Sequence, residues 1–220
     1  MKNPTYSDFL LRRLHSLTGL IPLTGFIFFH FFANAYSKGG PEAFDPVVAQ
    51  LRGLPYLLWI EWGILFAPFL FHMFYGLWII FTGRQNVLRL PYARNWAYFL
   101  QRVTAIIVFV FILYHVIGVR FNEEIENTKE VWQAMRAHFS NPVVYWWYMV
   151  GIACTVYHLA NGVCTFAMTW GITVSRRSQR FAAAVMTVVG LGLFALGVGA
   201  VNGFLQPPPS TEVAEVASKD

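Results

Sequence analysis

Four histidines sit inside apolar runs: His30 in FIFFHFFANAY, His72 in FLFHMFYG, His115 in FILYHVIG and His158 in TVYHLANG. They recur at intervals of 42, 43 and 43 residues, about one membrane-crossing helix plus a connection. An ionisable side chain in such surroundings is expensive and marks a functional position. Neutral imidazole is a good axial ligand for haem iron, and facing helices of a bundle can present two imidazoles to one haem. Four histidines therefore suffice for two b haems. The bland explanation of any one of them is a hydrogen-bonding residue packed against a neighbouring helix; the recurrence of all four argues for ligation. Gly76 follows His72 by four residues, Gly118 follows His115 by three and Gly162 follows His158 by four. Those offsets share a helix face, where bare backbone leaves room for a flat macrocycle. His30 has Ala33 and Asn34 at those places, and Gly19, eleven residues earlier, falls on roughly its face.

The elements that position these histidines follow from composition. A chain of 220 residues that is 56% hydrophobic, 18% aromatic and 12% charged reads as an integral membrane protein. Apolar runs long enough to span fall at Leu17–Tyr36, Tyr56–Thr82, Trp96–Val119, Val143–Val174 and Phe181–Leu205. The expected fold is all-α: five transmembrane helices, four of them forming a di-haem bundle. Residues 1–16 form an amphipathic lead-in, 17–205 the transmembrane domain and 206–220 an outer flexible tail. No basic, apolar and cleavage-site sequence opens the chain, so a removable signal peptide is not expected. Pro68 precedes His72 by four residues and predicts a kink. Gly39–Pro55 reads as an outer loop with about one helical turn, and 121–142 as an outer amphipathic helix carrying His138 as a surface residue. The fifth helix lacks ionisable groups and is rich in glycine, which suits close packing.

A net charge of +5 invites a nucleic-acid reading, but the placement of the charges excludes it. Lys2, Arg12, Arg13, Arg84, Arg89, Arg94, Arg102, Arg176, Arg177 and Arg180 all flank one side of a five-helix arrangement, which places that side and the N-terminus in the cytoplasm. Cys154 and Cys164 have neither the number nor the spacing for an iron–sulfur cluster or a disulfide framework. Measured from the outer ends of their helices, His30 and His115 lie shallow, whereas His72 and His158 lie about 25 Å deep at about 1.5 Å per residue. The expected pairs are His30 with His115 for an outer haem and His72 with His158 for an inner one. Bis-histidine ligation closes the iron to substrate, so the chemistry is electron transfer. With no dehydrogenase motif in the chain, the electron donor must be another subunit on the basic face.

RRLHSLTGLIPLTGFIFFH at Arg12–His30, GGPEAF at Gly39–Phe44, RNWAYFLQRVTAII at Arg94–Ile107 and NGVCTFAMTWGITVSRRSQR at Asn161–Arg180 complete the pattern. With the histidine spacing, these resemble the five-helix, di-haem cytochrome b membrane anchor of succinate dehydrogenase in its menaquinone-using form. The resemblance implies a multi-pass subunit of the cytoplasmic (inner) membrane. Its implied partners are an FAD-carrying flavoprotein subunit, an iron–sulfur subunit, quinone and lipid, and it implies the same pairing of histidines. The alternatives are a di-haem anchor for fumarate reductase, hydrogenase or formate dehydrogenase, and a haem-free transporter using its histidines for protons or metal. Glu61, eleven residues before His72, is a candidate for quinone protonation at the outer end; its alternative is a solvated interfacial carboxylate. Arg13, His15, Ser16, Trp96 and Arg102 are candidate contacts for haem propionates, and His15 and Ser16 could instead flank an inner quinone pocket.

Overall fold

The computed structural model describes residues 6–207; the extreme start of the expected lead-in and most of the expected tail 206–220 lie outside them. Among the described residues every regular element is helical. Five helices are long and apolar enough to cross a membrane: Tyr6–Gly39, Leu57–Thr82, Ala93–Arg120, Pro142–Thr169 and Arg176–Leu205. The protein is thus the all-α, multi-pass membrane protein expected from the apolar runs.

The boundaries differ from the apolar runs where local chemistry overrides hydropathy. Nothing between Tyr6 and Thr18 breaks a helix, so the described part of the lead-in and the first span are continuous. The fourth stops at Thr169 rather than Val174, since Gly171 takes a positive φ of 73° and the N–H groups of Ile172 and Thr173 turn back to the Ala167 carbonyl. Three spans contain wide π-helical turns: Gly19–Leu23, Ile60–Phe66 and Val116–Arg120. Pro22 lies inside the first, and the Thr24 hydroxyl donates to the Gly19 carbonyl there at 3.0 Å. The second ends where Pro68 opens the regular helix Ala67–Thr82, placing the backbone irregularity just before the expected kink.

The chain divides into two compact units, each drawn from three stretches. One contains the stretch ending at Ile27, with Leu58–Phe109 and Cys154–Leu191. Here the lead-in Tyr6–Thr18 packs along Ala67–Thr82, the element that carries His72. A Cβ on Gly190 would lie 3.4 Å from Val156 and 3.6 Å from Ala160, ordinary contact distances, so the two helices leave room there for a methyl.

The other unit contains Phe28–Leu57, Val110–Ala153 and the stretch from Gly192. The expected outer loop is a helix, Pro41–Arg52, because Gly40 turns the chain at φ 74° and Pro41 supplies a preset first helical residue. Beyond the third span, Glu123–Asn127 and Val131–Ser140 form two short helices instead of one. Phe44, Trp132, Phe139 and Phe204 close a buried aromatic cluster, with the Phe44 and Phe204 rings 4.9 Å apart. Burial of each such side chain stabilises by about 1.5–3 kcal/mol. Polar groups fix this cap: the Trp132 N–H donates to the Asp45 carboxylate at 2.7 Å, and Arg52 donates to the carbonyls of Ile125 and Thr128 at 2.8 and 2.9 Å. The expected close packing of the glycine-rich fifth helix is realised at Gly203. A Cβ there would stand 2.5 Å from Ser37 Oγ and 2.7 Å from the Lys38 nitrogen, and Ser37 donates to the Ala200 carbonyl at 2.7 Å.

Candidate functional site

Each unit holds one of the expected histidine pairs. In the first, the His72 and His158 rings meet edge to face with centroids 6.4 Å apart. His72 Nδ1 donates to the His15 carbonyl at 2.9 Å, and His158 Nδ1 donates to the Gln101 carbonyl at 3.2 Å. A carbonyl can only accept, so both protons sit on Nδ1 and both Nε2 atoms carry the lone pair that a metal requires. Gln101 also donates its side-chain amide to the His158 carbonyl at 3.0 Å, and Asn161 donates to Gln101 Oε1 at 2.8 Å. This amide bracket was not foreseen, although a Gln and an Asn inside apolar spans are themselves a signal.

His15 stacks on His72, with centroids 4.1 Å apart and planes 8° from parallel. Bare backbone permits this arrangement, since a Cβ on Gly19 would come within 2.5 Å of the His72 ring and one on Gly76 within 3.1 Å of His15 Nε2. Gly19 thus serves His72, not His30 as its spacing implied. Gly76 faces an imidazole. A Cβ on Gly162 would meet the Gln101 amide at 3.5 Å, and Gly118, in the other unit, faces open space to 4 Å.

The candidate carboxylate contacts of the first unit separate into distinct places. Arg102 is 8% exposed, lies 3.7 Å over the Tyr98 ring and presses against Gly83, with its Nη1 lacking a hydrogen-bond partner. A buried guanidinium with an orphaned N–H is a site for an anion. Arg13 donates to the Thr169 carbonyl and stacks on Trp170, whose indole N–H donates to the Ser16 hydroxyl at 3.0 Å. Trp96 is 43% exposed and its ring meets Phe99. Glu61 is half-buried in the wide turn Ile60–Phe66, within the unit of His72. Wide turns change the angular step per residue, so the eleven-residue interval no longer keeps Glu61 on the His72 face.

In the second unit the His30 and His115 rings meet edge to face, centroids 5.7 Å apart. Asn34 donates to the His30 carbonyl at 2.8 Å, and its amide lies 3.4 Å from His30 Nε2. His115 Nδ1 lies 3.1 Å from the Tyr148 hydroxyl, which accepts from it in the tautomer that leaves Nε2 for a metal. His138 is not a surface residue. It is half-buried against Tyr114, Phe139 and Tyr148, its Nε2 lacks a partner, and burial pushes its pKa down.

The residues present fit haem by the chemistry of the donor set. Two pairs of neutral imidazoles stand inside apolar helices, at least three of the four supported at Nδ1, with a buried cation available for a propionate. Among the described residues no three His, Cys, Asp or Glu side chains are grouped to hold a bare metal ion. Both cysteines are free thiols.

Comparison with known proteins agrees with this chemistry. The sequence model of the succinate dehydrogenase/fumarate reductase transmembrane subunit matches residues 82–198. The succinate dehydrogenase cytochrome b558 subunit of Bacillus subtilis (strain 168) is 36% identical over 198 residues, covering 90% of this chain and 98% of that protein.

Proposed function

The chain belongs to the succinate dehydrogenase/fumarate reductase transmembrane subunit family, and on that premise we propose how it works as the membrane anchor and electron conduit of succinate dehydrogenase. It is a subunit of an oxidoreductase complex, not itself the dehydrogenase. Electrons enter from the iron–sulfur subunit, which a flavoprotein bearing FAD supplies, and leave to menaquinone in the cytoplasmic membrane. His72 with His158, and His30 with His115, would each hold one b haem. Bound there, the two groups supply one-electron carriers whose axial positions are both filled. Family membership disfavours a hydrogenase or formate dehydrogenase anchor, and the donor set disfavours a haem-free transporter.

The observation that carries this reading is the orientation of the imidazoles: acceptors at Nδ1 fix the tautomer and turn Nε2 toward a ligand. The chain's other residues do what a conduit needs. Arg102 offers an unpaired N–H to a propionate, and Arg13 and Ser16, tied to the fourth span through Thr169 and Trp170, hold the lead-in in place. The basic loops with the N-terminus lie in the cytoplasm and receive the soluble subunits. Glu61 passes protons to quinone at the outer side. A second quinone reading has its own support: a shallow apolar groove of about 450 Å³ is lined by Leu70, Phe71, Phe74, Tyr75 and Trp78, and the Tyr75 ring meets His15 at 5.8 Å.

The test is purification from membranes. The reading expects co-purification with a flavoprotein and an iron–sulfur protein, two low-spin b haems in the reduced-minus-oxidised spectrum, and crosslinks to Arg84–Arg94 and Arg176–Arg180. Crosslinks confined to Phe121–Asn141 would reverse the topology, and absence of haem would overturn the conduit.

A further inference from the structure

We propose that Tyr148 is a positioning residue that sets the reduction potential of the haem held by His30 and His115, independently of the haem held by the other pair. This rests on the two-haem reading above.

The geometry around Tyr148 is specific to one ligand. Its hydroxyl stands 3.1 Å from His115 Nδ1, and the residue is 4% exposed. Rings surround it: Phe139 at 4.8 Å, Phe111 at 5.2 Å, His138 at 5.7 Å and Tyr114 at 6.3 Å. Phe111 also stacks on His115, at 6.0 Å and 26°, and it occupies the space that a side chain at Gly151 would need. Phenol and imidazole are thus each locked by the same aromatic wall, so their separation is set by packing and not by a mobile side chain.

The consequence lies in what the acceptor does to the imidazole. An acceptor on Nδ1–H pushes electron density toward Nε2, strengthens donation to iron and favours the ferric state. His72 and His158 receive this push from peptide carbonyls, which no substitution can delete. His115 receives it from a phenol, a weaker acceptor carried on a side chain. The potential of one haem is therefore adjustable by sequence at a position that leaves the other untouched.

The experiment uses the whole complex with Tyr148→Phe, which keeps the ring in its cage and removes only the oxygen. Potentiometric titration should show one b haem easier to reduce by three- to tenfold in its redox equilibrium, about 30–60 mV at 59 mV per tenfold for one electron. The second midpoint should not move, and both haems should remain low-spin by ferric electron paramagnetic resonance, with one signal altered. Tyr148→Gln, which restores an oxygen acceptor, should bring the midpoint back toward that of the unsubstituted complex. Unmoved midpoints, a common shift of both, or loss of haem from both pairs would overturn the proposal; the last would make Tyr148 a folding residue. Fewer than two haems in the unsubstituted complex would instead overturn the two-haem reading, a result visible before any substitution.

Discussion

The two units surround their histidine pairs with different materials. Around His72 and His158 the supports are main-chain carbonyls, an amide bracket from Gln101 and Asn161, and a stacked third imidazole from the lead-in helix. Around His115 the support is a side chain, a phenol within an aromatic cage, while Asn34 donates to the His30 carbonyl, and the same unit carries a cap of short helices closed by Asp45, Arg52 and Glu126. A carbonyl support is independent of residue identity and holds its ligand as long as the helix exists. A side-chain support can be altered without moving the backbone. The difference teaches that identical side chains need not have identical freedom to vary.

That contrast is most severely tested by deleting ligands. His72→Ala or His158→Ala should abolish one low-spin b signal, His30→Ala or His115→Ala the other, and His138→Ala neither. Spectra of the four single variants and the His138 control decide it; one substitution that removes both signals would mean the units do not hold their haems separately. Next in size, Glu61→Gln should keep both haems and succinate–dye activity while quinone reduction falls. If quinone is reduced at the outer side, turnover also responds to an uncoupler, because each electron couples to about 2.3 kcal/mol per 100 mV. Unchanged quinone turnover in that variant would remove Glu61 from the mechanism, and turnover indifferent to an uncoupler would move the quinone site to the inner face, beside His15 and Ser16.

Smaller effects separate the cap from the ligand pairs. Gly203→Ala forces a methyl against Ser37 and the Lys38 backbone, and overpacking of this kind destabilises by about 1–3 kcal/mol. The thermal midpoint of the purified complex should fall while both haem spectra stay the same. The smallest change is expected at Asp45, whose carboxyl is held above its ordinary 3.8 chiefly by burial. The folded state then binds this proton more tightly than the unfolded state does. Its contribution to stability is therefore greatest below 3.8 and declines as pH rises through the raised folded value. Asp45→Asn keeps an acceptor for the Trp132 N–H and should flatten that decline, whereas Asp45→Ala removes the cap at about 0.5–2 kcal/mol. Thermal denaturation across that interval measures both.

Much of this was legible in the chain. Depth counted from the outer helix ends gave which histidine rings meet, hydropathy the five spans, and the glycines of the fifth helix its close approach at Gly203, because each follows from a regular helical period. What escaped notice depends on irregular period or on tertiary partners. Counting eleven residues along an ideal helix puts Glu61 on the His72 face and Gly19 on the His30 face, but a wide turn intervenes in both intervals. Tyr148 and Gln101 become meaningful only once their helices meet the histidines they bond. His138 read as solvated because its helix is amphipathic, yet it lies on the side that packs.

The wide turns also bear on which changes of chain length the protein tolerates. Each such turn winds more residues than a regular one, so removing a single residue from Gly19–Leu23 converts it to an ordinary turn and leaves His15 and His30 in their original phase. The same deletion within Thr24–Asn34 has no slack to consume and rotates one flank against the other by about 100°. Single-residue gaps in this lineage should therefore gather at Gly19–Leu23, Ile60–Phe66 and Val116–Arg120, and be excluded from the regular helix around His30, His72, His115 and His158.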